Sequence, residues 1–113
     1  MDRLRQRADF VAVASGARMS SPAFVVQKKC RDDDGPPRVG FTVTKKIGTS
    51  TERNRIRRRL RELVKRAADG SMRPHSDYVL VGRRAALNRG FAIMLDDLCS
   101  ALDRLERRSP NPN

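Results

Sequence analysis

The sequence predicts an α+β fold, a mixed sheet with helices packed against it, and three observations carry that expectation. Residues 38–44 alternate strictly between apolar and small or polar side chains, 78–81 form an unbroken apolar run, and two amphipathic segments of helical period occupy 52–68 and the stretch from 91 onward. Alternation is the period of a half-buried strand, a continuous apolar run suits a strand covered on both faces, and recurrence every three to four residues suits a helix with one buried stripe. The resulting order of helix, strands, helix, strand and helix calls for a sheet layered with helices. With 113 residues, 38% of them hydrophobic, the chain supports one domain with one modest core, expected over residues 1–108.

A first helix is expected over 4–14, where Leu4, Ala8, Val11 and Ala14 share a face with Phe10 and Val13 beside them, and Gly16 supplies the stop. Ser20, Ser21 and Pro22 punctuate the chain before a strand at 23–29, with Phe24 and Val26 on one face and Val25 and Gln27 on the other. Asp32, Asp33 and Asp34 run into Gly35, Pro36 and Pro37, which is turn chemistry, so a solvated hairpin loop is expected rather than a metal site. The strand at 38–44 turns Val39, Phe41 and Val43 one way and Gly40, Thr42 and Thr44 the other. A basic connection then leads to Ser50 or Thr51 as helix cap and to a helix over 52–68, built on Ile56, Leu60, Leu63, Val64 and Ala67 and stopped by Gly70. An interior strand follows at 77–81. Phe91, Met94, Leu95, Leu98, Leu102 and Leu105 define the last helix, and residues 109–113, with two prolines, are expected to be a disordered tail.

Lys and Arg total 25 against 13 acidic residues, a formal charge of +12 that repels itself unless a polyanion neutralises it. Between 51 and 68 there are eight basic residues against Glu52 and Glu62, so half of the excess sits on one helix. At about 100° per residue, Asn54, Arg57, Arg58, Arg61 and Lys65 cluster opposite Ile56, Leu60 and Leu63. Like charges four apart, Arg57/Arg61 and Arg61/Lys65, destabilise a bare helix by about 0.2–0.5 kcal/mol each, a sign that bound phosphates reverse. Arginine also suits the task because its planar fork reaches two acceptors at once and stacks on an exposed base.

Other classes fit less well. No apolar run resembles a signal sequence or a membrane anchor, which makes a cytoplasmic protein the expectation and excludes a membrane partner. Cys30 and Cys99 lack the spacing of a zinc or redox motif and read as reduced thiols. His75 lies alone in a loop, and Asp96, Asp97 and Asp103 read as solvated helix charges, so no catalytic residue, metal ligand or cofactor site is expected in the protein itself. Helix-turn-helix and zinc-finger spacings are missing, and four Phe, one Tyr and no Trp are few for a general single-strand binder.

The string RVGFTVTKKIG, from Arg38 to Gly48, followed by ERNRIRRRLRE, from Glu52 to Glu62, resembles the bacterial ribonuclease P protein component, with Arg53, Asn54 and Arg55 as that family's signature. The likeness runs over about 4–105. It implies an α/β sandwich of three helices on a mixed, mainly antiparallel four-stranded sheet, ribosomal-protein-S5-domain-2-like, whose βαβ crossover has the left hand against the general right-handed rule. It further implies an accessory subunit of an endoribonuclease in which a catalytic RNA, using Mg2+, hydrolyses the phosphodiester before the first nucleotide of mature tRNA. The protein's partners are then that RNA and the 5′ leader of precursor tRNA, with no protein partner required. By position, Lys45, Lys46, Arg53, Asn54, Arg55, Arg57, Arg58 and Arg61, continued by Lys65, contact the RNA. The leader cleft maps to Phe10, Val25 and Gln27; aromatic residues common in relatives are replaced by Ala14 and Gln27, which leaves stacking to Phe10, whose other reading is a core contact. The competing assignment, a ribosomal or other structural RNA-binding protein, has the full motif string against it.

Overall fold

The computed structural model describes residues 2–108 and places one sheet between two unequal helix layers. A two-residue strand β1 (Asp2–Arg3) leads to α1 (Arg7–Ala14), β2 (Ala17–Ser20), β3 (Phe24–Cys30) and β4 (Arg38–Thr42). A 3-10 turn (Lys45–Ile47) precedes α2 (Ser50–Ser71), then come β5 (Ser76–Gly82), a second 3-10 turn (Arg84–Leu87) and α3 (Phe91–Arg108). The sheet order is β1-β4-β5-β3-β2. The expected four strands are β2 to β5, mainly antiparallel, and β1 adds a short parallel neighbour to the edge of β4. The expected tail at 109–113 lies outside the described residues.

Beneath α2 and α3 lies the larger core, where Phe24, Val26, Leu80, Ile56, Leu60, Leu63, Met94 and Leu98 are fully buried. The opposite face carries a small cluster of Leu4, Val13 and Val79, with Phe10 and Val81 packed against it. β5 explains why the run 78–81 lacks alternation: it is the central strand, paired to β3 and β4, and covered on both sides.

The handedness of the crossover follows from hydrogen bonding and chirality. Arg83 N–H donates to Ala23 O and Arg31 N–H to His75 O, so odd residues of β5 direct their backbone groups to β3 and even ones to β4. The even residues Tyr78 and Leu80 turn their side chains to the α2/α3 layer. Seen from that layer with β5 running upward, an L-residue whose side chain faces the viewer projects its N–H and C=O to the right. β4 therefore lies to the right of β5, and the chain steps leftward from β4 through α2 into β5, a left-handed unit. A right-handed step would carry β5 to the other flank of β4, away from the seven-residue register it makes with β3.

Several local expectations shift. α1 starts at Arg7 because Leu4 is drawn to the sheet edge, its N–H bonded to Val39 O at 3.0 Å and its side chain 6% exposed. The segment between β3 and β4 is not a hairpin, since β5 lies between these strands; it crosses the end of β5, tied by His75 N–H to Gly35 O and by Arg31 to Asp33, Pro36 O and Asp77. The cap of α2 is Thr49 rather than Ser50 or Thr51, because only Thr49 closes a reciprocal box with Glu52, three residues on. The helix also continues past Ala68 and through Gly70, ending at Ser71 before the buried Met72. β2 escaped the sequence reading because its edge position leaves alternate residues of a short, weakly apolar segment exposed.

Candidate nucleic-acid interface

Helix α2 is docked by a stripe of Ile56, Leu60, Leu63, Val64 and Ala67, none more than 3% exposed. A helix held by one face presents the other to solvent. On that face Asn54, Arg55, Arg58, Arg61 and Lys65 are exposed, and the side chains of the four cations among them form no ion pair or hydrogen bond with the described residues. Lys45 and Lys46, exposed on the 3-10 turn just before the helix, are equally free. Among the described residues, six cations without a side-chain partner thus extend from the turn along α2.

The remaining basic residues of α2 behave differently. Arg53 bends back to Gly48 O at 3.3 Å and to Ser50 Oγ at 3.2 Å, serving the turn as well as the surface. Arg57 is half-buried, donating to Asn54 Oδ1 at 3.2 Å and reaching Val43 O at 3.5 Å. Arg59 turns across to Arg89 O and is structural, as Arg89 in turn pairs with Asp97 at 2.8 Å. Arg66 leans over the Phe91 ring at 5.5 Å and near Glu62, which joins α2 to α3.

One residue important to this surface escaped sequence reasoning. Arg84, from the turn after β5, donates to Ile47 O at 2.8 Å and to Glu52 Oε2 at 2.8 Å, while Glu52 Oε1 accepts from Thr49 N–H at 2.9 Å. The lysine turn and the start of α2 are therefore clasped together by Arg84 and Glu52. A Cβ at Gly48 would fall on the Glu52 carboxylate and the Arg84 guanidinium, so a side chain there would push the clasp apart. The Arg84 hydrogen bond, helped by Thr49 N–H, lowers the Glu52 carboxyl to about 2. Nothing local in the sequence ties Arg84 to a carboxylate 32 residues earlier.

On the opposite face, Phe10, Val25 and Gln27 all belong to the α1 side of the sheet, but Val25 and Gln27 are 5% and 9% exposed. Little of either side chain reaches a ligand there. Phe10 is half-buried, and its ring tip rests on Gly40, where a Cβ would lie 2.5 Å from two ring atoms. α1 is further held by Asp9, 3.8 Å from Arg38. Arg38 and Arg31 both bind the buried Asp77, at 2.7 and 2.6 Å. Burial pushes the Asp77 carboxyl up, but hydrogen bonds from Arg38 and Arg31 outweigh it and hold the group below the ordinary range.

Of the acidic triplet, Asp33 is locked by Arg31 and by Gly35 N–H, and no group of three His, Cys, Asp or Glu among the described residues is arranged to hold a metal ion. His75 sits in a loop at φ 49°, its Nδ1 2.6 Å from Asp33 O. Among the described residues no helix is long and apolar enough to cross a membrane.

Comparison with known proteins gives a consistent result. The family model described as Ribonuclease P matches residues 1–106. A ribonuclease P protein component of Brucella suis is 41% identical over 116 residues, covering 95% of this chain and 82% of the relative. That of Gluconacetobacter diazotrophicus is 47% identical over 97 residues, covering 85% and 84%. Among solved structures, the RNase P protein from Thermotoga maritima superposes with a TM-score of 0.76 at 28% identity, covering 92% of this chain and 97% of that one. A mutant of the Staphylococcus aureus RNase P protein gives 0.78 at 26% identity, covering 92% and 87%.

Proposed function

Because this chain belongs to the ribonuclease P protein family and is thereby the accessory protein subunit of that endoribonuclease, we propose that its free cationic face is the surface that grips the catalytic RNA. As that subunit it assists the RNA in removing the 5′ leader from precursor tRNA. The six unpaired cations of the lysine turn and α2 support the reading. Lys45, Lys46, Arg55, Arg58, Arg61 and Lys65 meet phosphates directly. Asn54 and Arg57 act as a hydrogen-bonded pair beside them, and Arg53 completes the turn from its inner side.

The same chemistry assigns the bond cleavage elsewhere. The Mg2+ of the holoenzyme belongs with the RNA, where phosphate oxygens supply hard ligands, and its role there is to stabilise the charge that develops on the reacting phosphate. The protein's part is electrostatic: it offsets repulsion between RNA segments and holds the precursor near the reacting bond. Precursor leader binding falls to the α1 side of the sheet around Phe10, with Val25 and Gln27 supporting that face from beneath rather than touching the nucleotides. The setting is the cytoplasm, with no protein partner needed.

Reconstitution tests this. The protein alone should leave precursor tRNA intact. Added to the cognate catalytic RNA, it should lower the Mg2+ requirement and tighten precursor binding, and an Arg58→Ala/Arg61→Ala variant should do so less. Cleavage by the protein without RNA would overturn the assignment.

A further inference from the structure

Glu52 is the acidic residue in the first turn of α2, a place where a free carboxylate would repel RNA. It is instead gripped by the Arg84 fork, Nη1 to Oε1 at 3.2 Å and Nη2 to Oε2 at 2.8 Å, while Arg84 Nη1 also donates to Ile47 O. We propose that Glu52, Arg84 and Gly48 are positioning residues: they hold the lysine turn in the shape that binds the catalytic RNA, so that a carboxylate on this surface strengthens RNA binding. The proposal rests on the lysine turn and α2 being the RNA-binding face, and adds to that reading the device that orders the turn before RNA arrives.

The turn needs such a brace. Lys45–Ile47 is a single 3-10 turn without a side-chain cap, and its two lysines are adjacent like charges. On its inner side Ile47 packs against the larger core and donates its N–H to Thr44 O at 3.0 Å. Arg53 reaches Gly48 O at a long 3.3 Å. Arg84 stands on a firmer base, since the second 3-10 turn is anchored by the buried Ala86 and Leu87, and the neighbouring Arg83 N–H donates to Ala23 O at 2.9 Å. The Arg84 guanidinium therefore joins a fixed part of the core to Ile47 O and to Glu52, whose other duty is to cap α2 by accepting from Thr49 N–H.

Geometry sets this pair apart from an ordinary exposed ion pair, which adds little. Two N–H bonds to the two oxygens of one carboxylate fix the direction of approach as well as the distance. The same guanidinium is tied to a backbone carbonyl and the same carboxylate to a backbone N–H, so closing the pair fixes turn and helix together. Gly48 is where the two side chains cross the backbone: its conformation is extended, and what a Cβ there would meet is the clasp itself, Glu52 Oε1 and, at 2.8 Å, Arg84 Nη1. The hydrogen bonds from Arg84 and Thr49 N–H that lower the Glu52 carboxyl to about 2 keep the pair charged at neutral pH. A turn already in shape spares RNA binding the cost of ordering it, which for the backbone of one residue corresponds to about five- to thirty-fold in affinity.

Three single variants of the full chain open the clasp with three different changes of charge: Gly48→Ala with none, Glu52→Gln with one more positive and Arg84→Met with one fewer. Gln still serves as the third residue of a capping box, so α2 keeps its start. Affinity for the catalytic RNA is measured across a salt series, hydrogen exchange at 45–49 is followed in the free protein, and thermal melts check the fold. If the clasp positions the turn, all three variants bind at least about five-fold more weakly and exchange faster at 45–49 while the core stays protected. If charge alone matters, affinity follows charge: Gly48→Ala matches the parent, Glu52→Gln binds more tightly with a steeper salt slope, and Arg84→Met binds more weakly. That order overturns the proposal, as does unchanged exchange at 45–49. A Lys45→Ala/Lys46→Ala variant separates the two levels. If it binds like the parent, the turn is no RNA contact and the underlying reading of the turn fails; if it binds more weakly while the clasp variants match the parent, that reading stands and the clasp is refuted.

Discussion

Removing Arg58 and Arg61 gives the sharpest test of the cationic face, because both are exposed, unpaired and directed away from the core. Each phosphate neutralised releases counterions and contributes about 0.7–0.9 to the slope of log affinity against log salt. Six free cations therefore correspond to a slope of about −4.2 to −5.4, and to an affinity loss of roughly 300- to 2,000-fold between 50 and 200 mM monovalent salt. The double alanine variant should flatten the slope by about 1.4–1.8 units. Its fold should be intact, since both side chains are exposed, and removing two like charges four or fewer residues from other cations relieves helix repulsion. Filter binding or fluorescence anisotropy with the catalytic RNA across a salt series reads the slope, and thermal denaturation checks folding. A parent slope shallower than about −2, or a double variant with an unchanged slope, would refute the electrostatic reasoning.

Three further outcomes are expected. Thr49→Ala should cost about 1 kcal/mol and lower Tm by about 4 °C, whereas Thr51→Ala should fall within about 0.5 kcal/mol; calorimetry of the two variants distinguishes the cap from its neighbour. Gly40→Ala forces a Cβ to 2.5 Å from the Phe10 ring, and the overpacking should cost about 1–3 kcal/mol in urea denaturation, with no comparable loss in Gly90→Ala, where the nearest atoms lie 3.6 Å away. The carboxyls of Glu52 and Asp33 are lowered to about 2 in the folded protein from 4.5 and 3.8. Groups with depressed folded pKa values stabilise the fold above their unfolded values and lose that contribution as pH falls, so stability should decline between about pH 4.5 and 2. Melts over that range should show a smaller decline for Glu52→Gln than for the parent; equal declines would remove Glu52 from the account.

How much of this could be read from the chain divides by range. The period at 38–44, the continuous run at 78–81, the stripe from Ile56 to Ala67 and the clustering of arginines opposite it are properties of short segments, so their element types and the outward charge of α2 were legible before folding. The presence of a cap was legible in the Ser/Thr cluster, but the reading fell on Ser50 or Thr51, and only the reciprocal geometry with Glu52 shows that Thr49 is the cap. β1 and β2 carry too few apolar residues for a periodic signal and exist because a neighbouring strand offers them backbone partners.

Residue order by itself determined that this protein has three helices, a central strand covered on both faces and a helix whose outward side is cationic. Tertiary structure alone decided that β5 inserts between β3 and β4 with a left-handed crossover, that Arg84 clasps the lysine turn, and that Arg58 and Arg61 stay free while Arg57 and Arg59 turn to backbone oxygens. The physical reason is that periodicity and charge are summed along a few turns of chain, whereas pairing partners and exposure depend on which distant segments the burial of apolar faces brings together.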